Sequence, residues 1–397
     1  MYITPIIPST ESLLLENEII NKAEQLVVKS ALLVGGNNKH IINTIRELLR
    51  KTNSYYSNMI ESEGTHPIQI DKAMNKQFSP DSKERKLQLL SLVHIEVQKY
   101  IEENLDKNQK PFLLETILDI HHKFYSKEDM KESLDIEFNN LKATMIPGKL
   151  REMDVKIGEH IAPNHKELNS IFNEFEILYN QSIPLSKAMK IIYALCSHHR
   201  LVYIHPFLDG NGRISRLYLD YLFLYFEIDG YGLWNISRGL SRSSDEYRYK
   251  LSLADEKYKG YNDGRGPLSL KELKNFLNFM LDIAIEQVEF MAKYLKIDSL
   301  VEKIESYVKL SQIGFFNAEP LPKHSEKIFK ELLVWGEISR GKVQEILGTS
   351  RVSSSKLIAK LIELDFLESD SPKSAIRLKF NSHFASYIIP ELIPLLK

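Results

Sequence analysis

Apolar residues recur at helical spacing through most of the chain. Leu13, Leu14, Ile19, Ile20, Ala23 and Val27 share one face behind the cap candidates Ser9 and Thr10, and Gly35-Gly36-Asn37 closes that helix. A second helix is predicted over 40–61, striped by Ile41, Ile42, Ile45, Leu48 and Leu49 and broken by Gly64-Thr65-His66-Pro67. Pro80-Asp81 opens a third over 82–105, and a fourth runs over 111–125 with His121 and His122. The segment 140–165 reads differently. Pro147-Gly148 marks a turn, and Val155 to Ile161 alternates around Gly158, the pattern of a short hairpin. Helices follow near 165–180, 185–203 and 215–228; a loop is expected at 257–267 and helix over 268–312.

From about Pro322 the order becomes helix, helix, tight turn at Gly348-Thr349-Ser350, helix, then a two-stranded hairpin around 366–378. That is the order of a winged helix-turn-helix. The predicted fold class is therefore mainly α, a helical core with a short β-hairpin, plus a small C-terminal winged-helix domain.

The chain has 397 residues, which at about 150 per domain suggests two or three domains. Lys and Arg number 52 against 53 Asp and Glu, so no overall basic excess argues for nucleic acid or an anionic membrane. One cysteine, Cys196, excludes an internal disulfide framework and points to a reducing compartment. The opening MYITPIIPSTES lacks the basic start and apolar core of a signal peptide, and the apolar run from Leu217 carries Asp220 and is too short to span a bilayer. A cytoplasmic protein with no membrane partner is the expectation.

The chemistry concentrates in twelve residues, His205-Pro206-Phe207-Leu208-Asp209-Gly210-Asn211-Gly212-Arg213-Ile214-Ser215-Arg216. Gly210-Asn211-Gly212 between two helices can turn successive N–H groups inward as an anion nest, and the next helix adds its N-terminal donors. Arg213 and Arg216 lie three apart on the first turn, which suits a polyphosphate. Asp209 offers Mg²⁺ a hard oxygen ligand that phosphates can share. His205 is the group to accept a hydroxyl proton near neutral pH.

This run resembles the Fic signature, His-Pro-Phe-x-Asp/Glu-Gly-Asn-Gly-Arg-x-x-Arg, at all nine specified positions. The resemblance implies an all-helical core and transfer of AMP from ATP to a Ser, Thr or Tyr hydroxyl of a target protein, and of the protein itself. His205 would be the base, Asp209 the Mg²⁺ ligand, and Gly210, Asn211, Gly212, Arg213 and Arg216 the phosphate site, with Phe207 anchoring the loop. Ile157-Gly158-Glu159-His160-Ile161-Ala162-Pro163 is similar to the family's flap; Ile157, Gly158, Glu159 and His160 would line the site and clamp the target segment. Tyr247 to Asp255 resembles an adenine-side run, with Arg248 replacing a tyrosine and Asp255 an asparagine. Ser57-Asn58-Met59-Ile60-Glu61 resembles the inhibitory helix Ser/Thr-x-x-x-Glu-Gly/Asn, Glu61 pairing with Arg216 against the γ-phosphate. Ser62 departs from the pattern, and Glu63-Gly64 offers a competing register. The implied division is 1–110 for the helical region with the inhibitory helix, 111–260 for the catalytic core, 261–321 for a connector and 322–397 for the winged helix.

Plainer readings weigh against several of these residues. His198 and His199 lack the i,i+4 spacing of a metal pair and read as packing or surface groups, and Cys196 reads as a small buried hydrophobe. Arg351, Ser353, Ser354, Ser355, Lys356 and Lys360 give the third C-terminal helix a surface suited to DNA, yet 322–380 holds 11 Lys and Arg against 8 Asp and Glu, a weak excess. A DNA-binding regulator with a nucleotide-sensing core is therefore the alternative. A core using another nucleotide donor or removing AMP is a variant of the first reading. A homodimer is one candidate assembly.

Overall fold

The computed structural model describes residues 17–35, 39–138, 141–181, 186–260, 263, 267–316 and 318–394. The cap candidates Ser9 and Thr10, with Leu13, Leu14, Gly36 and Asn37, lie outside them. The architecture is mainly helical with a few short antiparallel strands.

Two consecutive helices form the centre, α7 (Lys187–Ile204) and α8 (Asn211–Tyr225). Both are buried nearly all round, so their polar residues need partners inside the protein. Around them pack α1 (Asn17–Leu32), α2 (Lys39–Ile60), α4 (Ser82–Glu103), α5 (Leu114–Tyr125) and α6 (Leu168–Gln181). Short helix α3 (Pro67–Met74) follows α2, and its start is capped by the His66 ring accepting from Ile68 N–H. Downstream come α9 (Ser237–Arg242) and α10 (Ser244–Ala254), two short helices beyond the reach of periodicity, then α11 (Leu270–Tyr294).

Two hairpins precede α6. Strands β1 (Asp135–Phe138) and β2 (Leu141–Thr144) form one that the alternation did not announce. The expected one is β3 (Lys156–Ile157) and β4 (His160–Ile161), paired Lys156 to Ile161 and Ile157 to His160 about Gly158 at φ +58°.

The helix expected over 268–312 is two. The chain turns at Leu295-Lys296 and continues as α12 (Ile297–Gln312). No glycine or proline marks this break. It lets Tyr307 leave the central core and enter an aromatic cluster with Phe316, Phe366, Phe384 and Tyr387.

The C-terminal unit runs α13 (Ser325–Trp335), β5 (Glu337–Ile338), α14 (Arg340–Leu347), α15 (Arg351–Glu363), β6 (Leu367–Glu368) and β7 (Ile376–Leu378). Its sheet has three strands in the order β5-β7-β6, one more than the expected hairpin. A last helix, α16 (Ser382–Ile388), and the tail after it pack back on α2 and α3. Ser382 N–H donates to Asp71 (2.6 Å), Lys51 Nζ to the Phe380 carbonyl (3.3 Å), and Tyr56 OH to the Leu392 carbonyl (3.0 Å).

Candidate active site

The twelve-residue run becomes a clamped loop between α7 and α8. His205 ends α7 in the left-handed region (φ 50°, ψ 64°), its N–H bonded to the Leu201 carbonyl. Buried Arg151 holds the loop from outside: its Nε donates to the His205 carbonyl (2.8 Å), its backbone N–H to the Pro206 carbonyl (2.9 Å) and its Nη1 to the Met153 carbonyl (2.7 Å). Phe207 is fully buried and stacks on His121 at 3.8 Å between ring centres. The Asn211 amide bridges both backbone groups of Phe207, accepting from its N–H (2.9 Å) and donating to its carbonyl (2.8 Å). The side chain of Asn211 thus braces the loop, and its backbone N–H is the group expected to contribute to the nest. Gly210 sits at φ +80°, where a Cβ would lie 2.3 Å from the Tyr125 hydroxyl, so the residue must be glycine.

Both arginines of α8 are buried and both are engaged. Arg216 donates from Nε to Ser57 Oγ (2.9 Å) and from Nη2 to the Ser57 carbonyl (2.9 Å) and Glu61 Oε1 (2.6 Å). Arg213 is ion-paired with Glu63 and also reaches the Tyr125 hydroxyl (3.0 Å) and Asp209 (3.4 Å). The two registers open in the sequence are thus both occupied, each carboxylate on its own arginine. Gly212 lies under the first pair, where a Cβ would come 2.2 Å from Glu61 Oε1.

The end of α2 explains Ser62. Glu63 N–H bonds to the Asn58 carbonyl and Ser62 N–H to the Met59 carbonyl, a Schellman closure with Ser62 at φ +62°. Glycine and asparagine tolerate that conformation best, and serine pays about 1 kcal/mol for it. Arg216 and Arg248 add cationic caps on the carbonyls of Ser57 and Ile60, at the negative end of the helix dipole.

The flap is pinned rather than open. His160 contacts the Tyr203 carbonyl through Nε2 (2.9 Å) and Asp255 through Nδ1 (3.1 Å), while Asp255 also meets His199 Nε2 (3.2 Å). Asp255 therefore joins two histidines. Tyr247 is likewise buried, its hydroxyl 2.8 Å from His198 Nε2. Arg248 caps the Ile60 carbonyl. Glu159 and Ile161 point to solvent, and Ile157 lines a cavity of about 50 Å³ with His205, Leu208, Met153 and Val155.

Burial sets the protonation states. It holds His205 down at about 3, with His160 and Arg151 adding repulsion, so the ring is neutral and can accept a proton. Burial also works on Glu61, but Arg216 and Arg213 outweigh it and keep the carboxyl below its usual range. His160 is drawn above its usual value because Asp255 overcomes the burial cost, whereas burial keeps His199 low. Of the two histidines, His160 is therefore the readier to take up a proton.

The Fic/DOC family profile matches residues 111–223, which contain the clamped loop and both arginines. This part of the chain is a Fic domain. Over 126 residues it is 32% identical to the protein adenylyltransferase Fic of Aedes aegypti, a match covering 32% of this chain and 22% of that one. The Drosophila erecta protein of the same name is 40% identical over 77 residues, covering 19% and 15%. The chain thus spans less than a quarter of the curated relatives' length. A Fic family protein from Desulfovibrio desulfuricans superposes with TM-score 0.50 at 15% identity, over 92% of this chain and 97% of that one. A Fic domain protein from Bacteroides thetaiotaomicron gives 0.53 at 18% identity, over 68% and 96%. These structures share the fold.

Reasoning from sequence missed three residues around the Fic loop. Arg151 lies between the Pro147-Gly148 turn and the flap, and only its position there could have marked it. Tyr125, under Gly210 and beside Arg213, and His121, under Phe207, read as ordinary members of an amphipathic helix. His198 and His199 are buried and bonded, so the surface alternative for them is corrected. Asp209 is half exposed at the loop's edge. An accessible carboxylate at the edge of the glycine loop fits Mg²⁺, which commonly takes one protein carboxylate and fills its shell with water and phosphate oxygens.

Proposed function

We propose that the protein transfers AMP from ATP to a side-chain hydroxyl of a target protein, itself included, and that Glu61 restrains it. The observation that carries this reading is the clamped loop, which sets a neutral His205 beside a glycine nest and two buried arginines. The names of the relatives point the same way.

The nest N–H groups with Arg213 and Arg216 bind the phosphates, and His205 accepts the proton of the attacking hydroxyl. Polyphosphate charge arriving beside His205 raises its affinity for that proton, which offsets the burial that holds it low at rest. Asp209 would hold Mg²⁺, whose charge stabilises phosphate oxygens when bound. At rest Glu61 occupies the guanidinium that the γ-phosphate needs, and Glu63 occupies the other.

We read the C-terminal unit as a winged helix. Arg351, Ser353, Ser355 and Lys356 are exposed on its third helix, but Lys360 is held by Glu319 and Glu363, and Arg377 by Asp370 and Glu368. Those pairings reduce the charge offered to a DNA backbone, so AMP transfer is preferred over the DNA-binding alternative.

The test is mass spectrometry of the purified protein after incubation with ATP and Mg²⁺. Added AMP is expected on the Glu61→Gly variant and not on the same variant carrying His205→Ala. ATP binding by Glu61→Gly without any AMP added to itself or to lysate proteins would overturn the reading.

A further inference from the structure

Behind the arginine lock, between α2, α4 and α8, lies a cavity of about 60 Å³. Its walls include Arg46, Asn53, Asp220, Trp234 and Asn235, with Leu49 as an apolar side. It is one helical turn from the lock on both helices: Asn53 precedes Ser57 by four residues, and Asp220 follows Arg216 by four.

The polar inventory of this cavity does not balance. Asn53 and Asn235 are more than nine-tenths buried, yet the side-chain oxygen of each has no hydrogen-bond partner. The buried Nε of Arg46 has none either. Asn53 Nδ2 is committed to Gln98 (2.8 Å) and Asp220 (3.1 Å), which fixes the amide so that its oxygen is the free atom. Burial draws Asp220 up to about 6 against its bonds from Tyr231 and Asn53, so it remains largely a carboxylate at neutral pH. Three unmet buried groups at one cavity favour an occupant.

Two orphaned acceptors and a carboxylate require an occupant with several donors, and the orphaned guanidinium N–H requires an acceptor. One molecule meeting both demands carries an ammonium and a carboxylate. At roughly 10–15 Å³ per water-sized atom the space takes about four to six non-hydrogen atoms. Arg46 and Glu102 are about one-third exposed and give it an entrance. From these residues we infer that the cavity is a binding site for a small zwitterion of the size of glycine or alanine, its ammonium on Asn53, Asn235 and Asp220 and its carboxylate on Arg46.

The experiment is thermal unfolding and calorimetric titration of the full chain with glycine, alanine and β-alanine, with acetate and methylammonium as single-charge controls. These readouts do not depend on AMP transfer, so the site stands or falls apart from the proposed function. Saturable binding of a zwitterion is expected, raising Tm by about 3 °C at a hundredfold excess over Kd. Asn235→Leu, which fills the cavity, should abolish the shift, and Arg46→Gln should weaken binding at least tenfold while the protein stays folded. No shift with any zwitterion would mean that the cavity holds only water, overturning the inference. Equal stabilisation by acetate or methylammonium, or binding unchanged in both variants, would overturn it as well.

Discussion

Removing the two carboxylates that hold the motif arginines should raise self-modification by unequal amounts. Arg216 is buried and Glu61 about one-third exposed, so their 2.6 Å contact is a partly sheltered, charge-assisted hydrogen bond. Such bonds contribute about 1.5–3 kcal/mol, and breaking a buried pair can cost more. Arg216 keeps two bonds to Ser57 when Glu61 is lost, which argues for about 2 kcal/mol. If that energy opposes the γ-phosphate, Glu61→Gly should strengthen productive ATP binding by roughly 30-fold. Glu63 is more exposed, and Arg213 retains Tyr125 and Asp209, so Glu63→Gly should be worth about 1 kcal/mol, roughly fivefold. Glu61→Gln and Glu63→Gln separate loss of charge from loosening of the helix end. The assay is the rate of AMP addition by intact mass, alongside the ATP Kd. Activation by Glu63→Gly alone would show that the restraint acts through Arg213, and no activation by the double variant would refute the lock altogether.

His205→Ala should lower transfer at least a hundredfold while ATP binding, read by calorimetry, stays near the parent value; retained transfer would remove His205 from the mechanism. Ser62→Gly should stabilise the protein by about 1 kcal/mol in denaturant unfolding, because it relieves a left-handed serine; destabilisation would show that the serine has another role. Arg248→Ala should raise self-modification a few-fold, since the cap on Ile60 steadies the helix that presents Glu61; an unchanged rate would make the cap purely structural. The flap should loosen as pH rises. The raised value of His160 means that its pairing with Asp255 is complete below the ordinary histidine value, about 6.5, and is lost as pH climbs through the higher folded value, while Asp255, drawn down to about 2, stays charged throughout. Hydrogen exchange at 156–161, corrected for intrinsic rates, should speed up over that range in the parent and not in Asp255→Asn.

Helix periodicity located α2, α4, α7 and α11 because each buries a stripe or a whole surface in the core. It failed where a break carries no local signal, as at Leu295-Lys296, and where helices are too short to show a period, as in α9 and α10. The loop was legible because its chemistry is local: glycine conformations, two arginines one turn apart and a histidine at a helix end all lie within twelve residues. The surroundings of Tyr247 and Asp255 were not, since their partners are His198, His199 and His160, 49 to 95 positions away. Spacing alone cannot tell a tyrosine that faces a ligand from one that buries its hydroxyl against a histidine.

The way α2 is anchored limits how the proposed restraint could be relieved. The helix buries Ile45, Leu48, Leu49, Tyr56 and Ile60, so lifting it out would expose several large apolar side chains at about 1.5–3 kcal/mol each. It would also break the Lys51–Asp71 pair and the Tyr56 bond to Leu392, both made where the chain's tail packs on α2 and α3. Those costs exceed what one charged contact to the γ-phosphate can return. Glu61 and Glu63, in contrast, lie beyond the last residue of α2 and are each at least one-third exposed. Rotation of these two side chains toward water leaves the helix and its anchors in place. Relief is therefore cheapest as a local swing of Glu61 and Glu63, with α2 as the fixed support from which they act.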